Sequence, residues 1–143
     1  MSVTGGCQCG AVRYALSETP VVTLCHCRMC QKAVGGPFAA LATVKRAALA
    51  WTRGAPAHFQ SSSMAKRGFC AACGTPLTYE GVNSENLEVT AGSLDDAASF
   101  APTEAFGTEA KLAWVDDIAA LKSIPTEAKF EGLVSYQHPD RDT

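Results

Sequence analysis

The stretch GGCQCGAVRYAL, residues 5 to 16, decides how this chain folds. Cys7 and Cys9 stand one residue apart and are followed by Gly10, a pattern that presents two thiols to one point from a tight turn. From Ala11 to Leu16 the side chains alternate, with Val12, Tyr14 and Leu16 on one face and Ala11, Arg13 and Ala15 on the other. A period of two predicts a strand with one buried face. The stretch therefore reads as a cysteine turn that feeds directly into a β-strand.

The same device recurs downstream. Lys66 to Cys70 reads as extended chain, Cys73-Gly74-Thr75-Pro76 as a turn and Leu77 to Glu80 as a further strand. Pro37 to Val44, entered through Gly35-Gly36, reads as a mostly buried strand, and Leu87 to Ala91 as a short one ending at Gly92. Ala47 to Ala50 and His58 to Ser61, separated by Thr52-Arg53-Gly54-Ala55-Pro56, predict a hairpin region. Short strands at this spacing, punctuated by glycine and proline, imply a mainly antiparallel β fold with few short helices. The best helical segment is Asp116 to Lys122, capped by Asp116 or Asp117 and stopped by Pro125. Lys32 to Val34 would complete a short helical turn, and residues 137–143 are polar and expected to fray. Trp51, Trp114, Phe38 and Phe69 are expected in the core.

The 143 residues suit a single domain spanning 1–143, and 47% apolar with 18% charged residues is ordinary for a folded chain. The net charge of −2, with basic residues scattered, argues against a nucleic-acid partner. No apolar run approaches the roughly 18 residues that cross a bilayer, so no membrane partner is expected. The start MSVTGGCQCG lacks a basic and then hydrophobic signal segment, so the expected location is cytoplasmic. In that reducing compartment closely spaced cysteines bind metal or do chemistry more often than they form disulfides.

The seven cysteines form three clusters: Cys7 and Cys9; Cys25, Cys27 and Cys30; Cys70 and Cys73. The first and last, paired, would make a four-thiolate site for Zn²⁺, coordinatively closed and structural. The middle cluster, CHCRMC at 25 to 30, would give three thiolates and leave a fourth position open, as a catalytic zinc requires. Spacing also permits another division, with Cys7, Cys9, Cys25 and Cys27 in one site and Cys30, Cys70 and Cys73 in the other, and His26 as a further ligand. A third arrangement that the spacing allows is a single zinc, with the remaining cysteines as buried small hydrophobes.

The runs GGCQCGAVRY at 5 to 14, LCHCRMCQK at 24 to 32, GFCAACGTPLTY at 68 to 79 and LEVTAGSLDD at 87 to 96 resemble the glutathione-dependent formaldehyde-activating enzyme family, also called the centromere protein V family. The likeness runs in order over a core of about residues 5–115. It implies a zinc-stabilised β fold similar to the Mss4 group, a tent of antiparallel sheets. It also implies a structural zinc on Cys7, Cys9, Cys70 and Cys73, and a catalytic zinc on Cys25, Cys27 and Cys30. The implied activity joins glutathione to formaldehyde as S-hydroxymethylglutathione, and is classed as a carbon–sulfur lyase for the reverse direction. One departure stands out: where the family often has a His-Ile-aromatic run, this chain has Ala105-Phe106-Gly107.

Such chemistry needs a thiolate, and a free thiol with a pKa of about 8.5 is mostly protonated at neutral pH. Zinc with an open position would hold the substrate sulfur as thiolate or polarise the aldehyde. Three thiolates leave the site with net charge of minus one, which weakens that pull. Arg28 and Lys32, flanking the third cysteine, are the cations expected to offset it and to contact the carboxylates of glutathione. The other class of function open to the chain is a non-catalytic, zinc-stabilised binding module on the same scaffold.

Overall fold

The computed structural model describes residues 2–141. Among the described residues, ten strands form two sheets. The smaller sheet joins β1 (Val3–Gly6), β2 (Arg13–Leu16) and β5 (Leu49–Arg53) in the order β1-β2-β5. The larger holds β3 (Val21–Cys25), β4 (Ala39–Lys45), β6 (Ala57–Ser62), β7 (Ala65–Phe69), β8 (Pro76–Gly81), β9 (Asn86–Thr90) and β10 (Glu104–Phe106). Its order is β10-β3-β4-β9-β8-β7-β6, antiparallel throughout except where β10 runs parallel to β3. The fold is thus mainly β, as the alternation predicts. No helix among the described residues is long and apolar enough to cross a membrane.

The main core lies between the sheets. Tyr14 and Leu16 from β2 pack with Val44 of β4, Leu77 of β8 and Val89 of β9, all at most 2% exposed. Cys7 and Cys70 belong to this core, whereas Cys9 and Cys73, further along the same two turns, are exposed. A second, smaller core comprises Cys30, Ala39 and Leu41, with Cys25, Cys27, Val34 and Tyr79 against it. Each core therefore carries cysteines from one set.

Arg13 is buried at 4% exposure, and its cost is met by Asp95, whose carboxylate accepts bonds of 2.9 and 2.5 Å from the guanidinium and 2.6 Å from the Thr4 hydroxyl. Paired buried charges of this kind are tolerable where an isolated one is not. This contact gives the Asp95 turn a role beyond local geometry, since it fastens the end of the β9 region to β1 and β2.

Four expectations are corrected. The 47–61 region is not a hairpin: β5 pairs with β2, while β6 pairs with β7. The reason is burial, because in that register Trp51 meets Tyr14 edge to face at 5.9 Å. The segment expected as an α-helix at 116–122 is instead 3₁₀ from Ala113 to Ala120, with no side-chain cap. Trp114 is 54% exposed and Ile118 43% exposed there, so the segment has no buried face to favour a longer helix, and Trp114 is not a core residue. The tail does not fray at His138: its N–H donates to Gln8 O at 2.7 Å and its ring covers Gly10, while Arg13 donates to Arg141 O at 2.6 Å. Residues 142 and 143 of that tail lie outside the described residues. Strands β1, β3 and β10, finally, are additions that the sequence pattern did not predict.

Candidate metal centres

The first and last cysteine turns have the same backbone construction. Gly10 N–H donates to Cys7 O at 3.0 Å and Cys7 N–H to Val12 O at 3.0 Å; Gly74 N–H donates to Cys70 O at 2.8 Å and Cys70 N–H to Thr75 O at 2.9 Å. Both glycines adopt positive φ, +76° and +79°, which closes each loop without steric cost. The two loops face each other and their four sulfurs lie within 4.8 Å of one another. Cys7 and Cys9 Sγ are 3.6 Å apart and Cys9 and Cys70 Sγ 3.9 Å. Four thiolates about 2.3 Å from a tetrahedral ion would be spaced by about 3.8 Å. The distances therefore fit a shared ion and are far too long for disulfides; all seven cysteines are free.

Thr75 links the two loops. Its hydroxyl oxygen accepts from Gln8 N–H at 3.1 Å, which leaves the hydroxyl proton to reach Cys73 Sγ, also at 3.1 Å. Burial alone would raise the Cys73 thiol, but bonds from Thr75 and the backbone outweigh it and bring the pKa down to about 6. A sulfur so disposed is ready to bind metal as thiolate.

The middle cluster is assembled by a change of structure within six residues. Cys25 ends β3, Cys27 caps the short helix α1 (Arg28–Val34), and Cys30 lies on its inner face. Cys27 Sγ accepts from Cys30 N–H at 3.4 Å, so the cap itself folds the two sulfurs together. The turn is pinned from below: His26 N–H donates to Phe106 O at 2.8 Å, and Gln31 Nε2 donates to His26 O at 2.7 Å and Ala110 O at 3.0 Å. All three sulfurs lie within 4.8 Å of each other. Burial first, and then hydrogen bonding to Cys30 and Cys27, pushes the Cys25 thiol up to about 12. Burial also acts upward on Cys27, but backbone and thiol donors to its sulfur outweigh it and lower its pKa.

This geometry decides between the divisions that spacing leaves open. Cys7, Cys9, Cys70 and Cys73 form one group and Cys25, Cys27 and Cys30 the other, and both can hold a metal ion. His26 joins neither. It is 2% exposed, its ring meets Phe38 edge-on at 5.4 Å, and its Nδ1 is buried without a hydrogen-bond partner.

The three-thiol group opens on a cavity of about 280 Å³ whose other walls include Arg67, Tyr79, Glu88 and Phe106. Arg67 is 6% exposed and donates to Cys30 Sγ at 3.2 Å. Burial raises the Glu88 carboxyl, against the lowering effect of Arg67. Tyr79, Glu88 and Phe106 were absent from the sequence candidates, and no local motif marks them. Each comes from a different strand, so only the sheet order brings them to the cysteines. Arg28 and Lys32 are exposed on α1 and line a neighbouring surface hollow of about 420 Å³, which shares Met29 with the first cavity. Arg28 also donates to Gln31 Oε1 at 3.2 Å.

A two-sheet β scaffold holding one four-thiol and one three-thiol group defines a class, a β protein able to carry two metal ions, one enclosed by sulfur and one not. The chain belongs to the glutathione-dependent formaldehyde-activating enzyme family, whose family model matches residues 2–110. An uncharacterized lyase of Schizosaccharomyces pombe (strain 972) is 32% identical over 83 residues, covering 57% of this chain and 60% of that relative. A solved protein of Rhodobacter sphaeroides shares the fold with a TM-score of 0.58 at 24% identity, over 71% of this chain and 98% of its own.

Proposed function

We propose that the chain is a zinc-dependent carbon–sulfur lyase acting on a thiol–aldehyde adduct, in the family's manner on S-hydroxymethylglutathione and its components, glutathione and formaldehyde. The observation that carries this reading is the convergence of Cys25, Cys27 and Cys30 at the mouth of a cavity that they do not close. Cys7, Cys9, Cys70 and Cys73 hold the structural zinc, and Cys25, Cys27 and Cys30 the catalytic one. When bound by three thiolates, zinc supplies an open coordination position and Lewis acidity there.

The reaction makes or breaks one bond. In the forward sense the thiol sulfur joins the carbonyl carbon, and the proton lost by the thiol ends on the former carbonyl oxygen. The chain's own residues bind and orient. The 280 Å³ cavity takes the thiol-bearing end of the substrate, with Tyr79 and Phe106 as walls that limit water. The substrate's remaining length extends past Met29 into the adjoining hollow, where Arg28 and Lys32 receive the carboxylates of glutathione.

Two measurements test this reading together. Metal analysis of the purified protein is expected to find two zinc ions per chain, falling to one on Cys27→Ala. Exchange spectroscopy by NMR on glutathione with formaldehyde is expected to show exchange faster with the protein than with the Cys27→Ala variant. Equal rates with both proteins would refute the lyase reading even if both metals were present.

A further inference from the structure

Arg67 is held at three points. Nη2 donates to Cys30 Sγ at 3.2 Å, Nε donates to Ser61 Oγ at 2.9 Å, and the guanidinium carbon lies 4.8 Å from the centre of the Tyr79 ring. A cation 6% exposed is costly unless negative charge faces it. Glu88 shares the cavity, yet the hydrogen bonds of Arg67 go to the sulfur and the serine hydroxyl instead. The group that Arg67 is aimed at is therefore the Cys30 sulfur, which as a metal ligand would face the guanidinium with negative charge.

We propose that Arg67 sets the charge of the three-thiolate site. A divalent ion under three thiolates would carry one net negative charge, and a guanidinium bonded to one of the sulfurs offsets that charge where it arises. A site so offset admits a fourth, anionic sulfur more readily than one without the guanidinium. Arg28 and Lys32 do not substitute for it, because their charges are exposed on the outer side of α1, where solvent and salt screen them. Arg67 acts from a buried position, where the same charge has a longer reach. It works through Cys30 and not on the reacting atoms, so it is a positioning residue. The proposal rests on the reading of Cys25, Cys27 and Cys30 as metal ligands.

The test uses the full chain loaded with Co²⁺, whose visible absorption reports the ligands of the three-sulfur site. That absorption is titrated with mercaptoethanol, which binds as an anionic thiolate, and separately with imidazole, a neutral ligand. Arg67→Gln is expected to weaken thiolate binding by about tenfold or more while imidazole binding stays within about twofold. Arg67→Lys, which keeps the charge, is expected to remain within about threefold of wild type for both ligands. Ser61→Ala, which only frees Nε, is expected to weaken the thiolate by about threefold. Equal losses for thiolate and imidazole in Arg67→Gln, or no loss for the thiolate, overturn the proposal. If that variant fails to fold, an unchanged thiolate-to-imidazole ratio in Ser61→Ala overturns it. A wild-type protein that takes up only one cobalt ion refutes the metal reading and this proposal with it. Two ions with unchanged ratios in the variants refute the Arg67 assignment alone.

Discussion

A β-carbon built on Gly107 would stand 2.7 Å from the backbone nitrogen of Cys27 and 3.0 Å from its Cβ, and Gly107 holds φ at +62°. The chain leaving β10 thus presses bare backbone against the cysteine turn. Gly107→Ala must displace that turn as well as adopt a strained φ, at a cost of about 1–3 kcal/mol. The expected result is loss of the metal held by Cys25, Cys27 and Cys30 with retention of the other. Metal content per chain and thermal melting check it, and an alanine variant that keeps both ions at wild-type affinity contradicts the geometry.

The Thr75 hydroxyl spans the two halves of the four-sulfur site, from Gln8 N–H to Cys73 Sγ. Groups that hydrogen-bond to metal ligands typically contribute about 10–100-fold in metal affinity. Thr75→Val keeps the side-chain shape but removes both contacts. It is expected to speed zinc release to a competing chelator by about tenfold, with a parallel fall in melting temperature. Unchanged release would mean that Thr75 serves only the turn.

The cysteine turns and the strands that follow them were legible because their determinants are local. Gly10 and Gly74 announce loops that need positive φ, and Val12, Tyr14 and Leu16 announce a buried face. The two metal groups became distinguishable only through tertiary pairing, since Cys9 and Cys70 meet across 61 positions of chain. Arg67 shows the same limit: one arginine in AKRGF carries no signal until β7 is placed opposite Cys30, 37 residues away. The apparent hairpin at 47–61 failed for a related reason. Gly54-Ala55-Pro56 interrupts the strand pattern, but partner choice was set by Trp51 against Tyr14, which no local pattern contains. Strand β1, VTGG, was hidden by its glycines, which have little strand preference and earn their place by close approach to Tyr14 and Val12.

Arg28 and Lys32 lie in a hollow separate from the cysteine cavity, the two having Met29 as a common wall. If they receive substrate carboxylates, their contribution is to binding in ground and transition states alike. Replacing both with alanine is expected to raise KM for glutathione by about tenfold with kcat nearly unchanged, and the effect should fade as ionic strength rises. Steady-state kinetics at two salt concentrations decide the matter; a fall in kcat with unchanged KM would place them elsewhere in the reaction.

Glu80, on β8, gathers four side chains: His58 from β6 at 2.8 Å, Thr78 at 2.9 Å, Arg46 at 3.0 Å and Lys66 from β7 at 3.6 Å. Burial acts to raise its pKa, but the bonds from His58, Thr78 and Arg46 and the charge of Lys66 outweigh it and bring the value down from 4.5 to about 2. A carboxyl with a lower pKa in the folded state stabilises the fold above its unfolded value and loses that contribution as pH falls. The stabilisation by Glu80 is therefore complete above about pH 4.5 and disappears progressively toward about pH 2. Its size is about 2 kcal/mol, less than the full shift implies because Arg46 and Lys66 reach Glu80 from partly solvated positions. Glu80→Gln is expected to lose about this amount in denaturant unfolding at pH 7 and to show a shallower decline of stability between pH 4.5 and 2 than the wild type. Parallel declines in the two proteins would show that other carboxylates, Asp95 among them, account for the acid sensitivity.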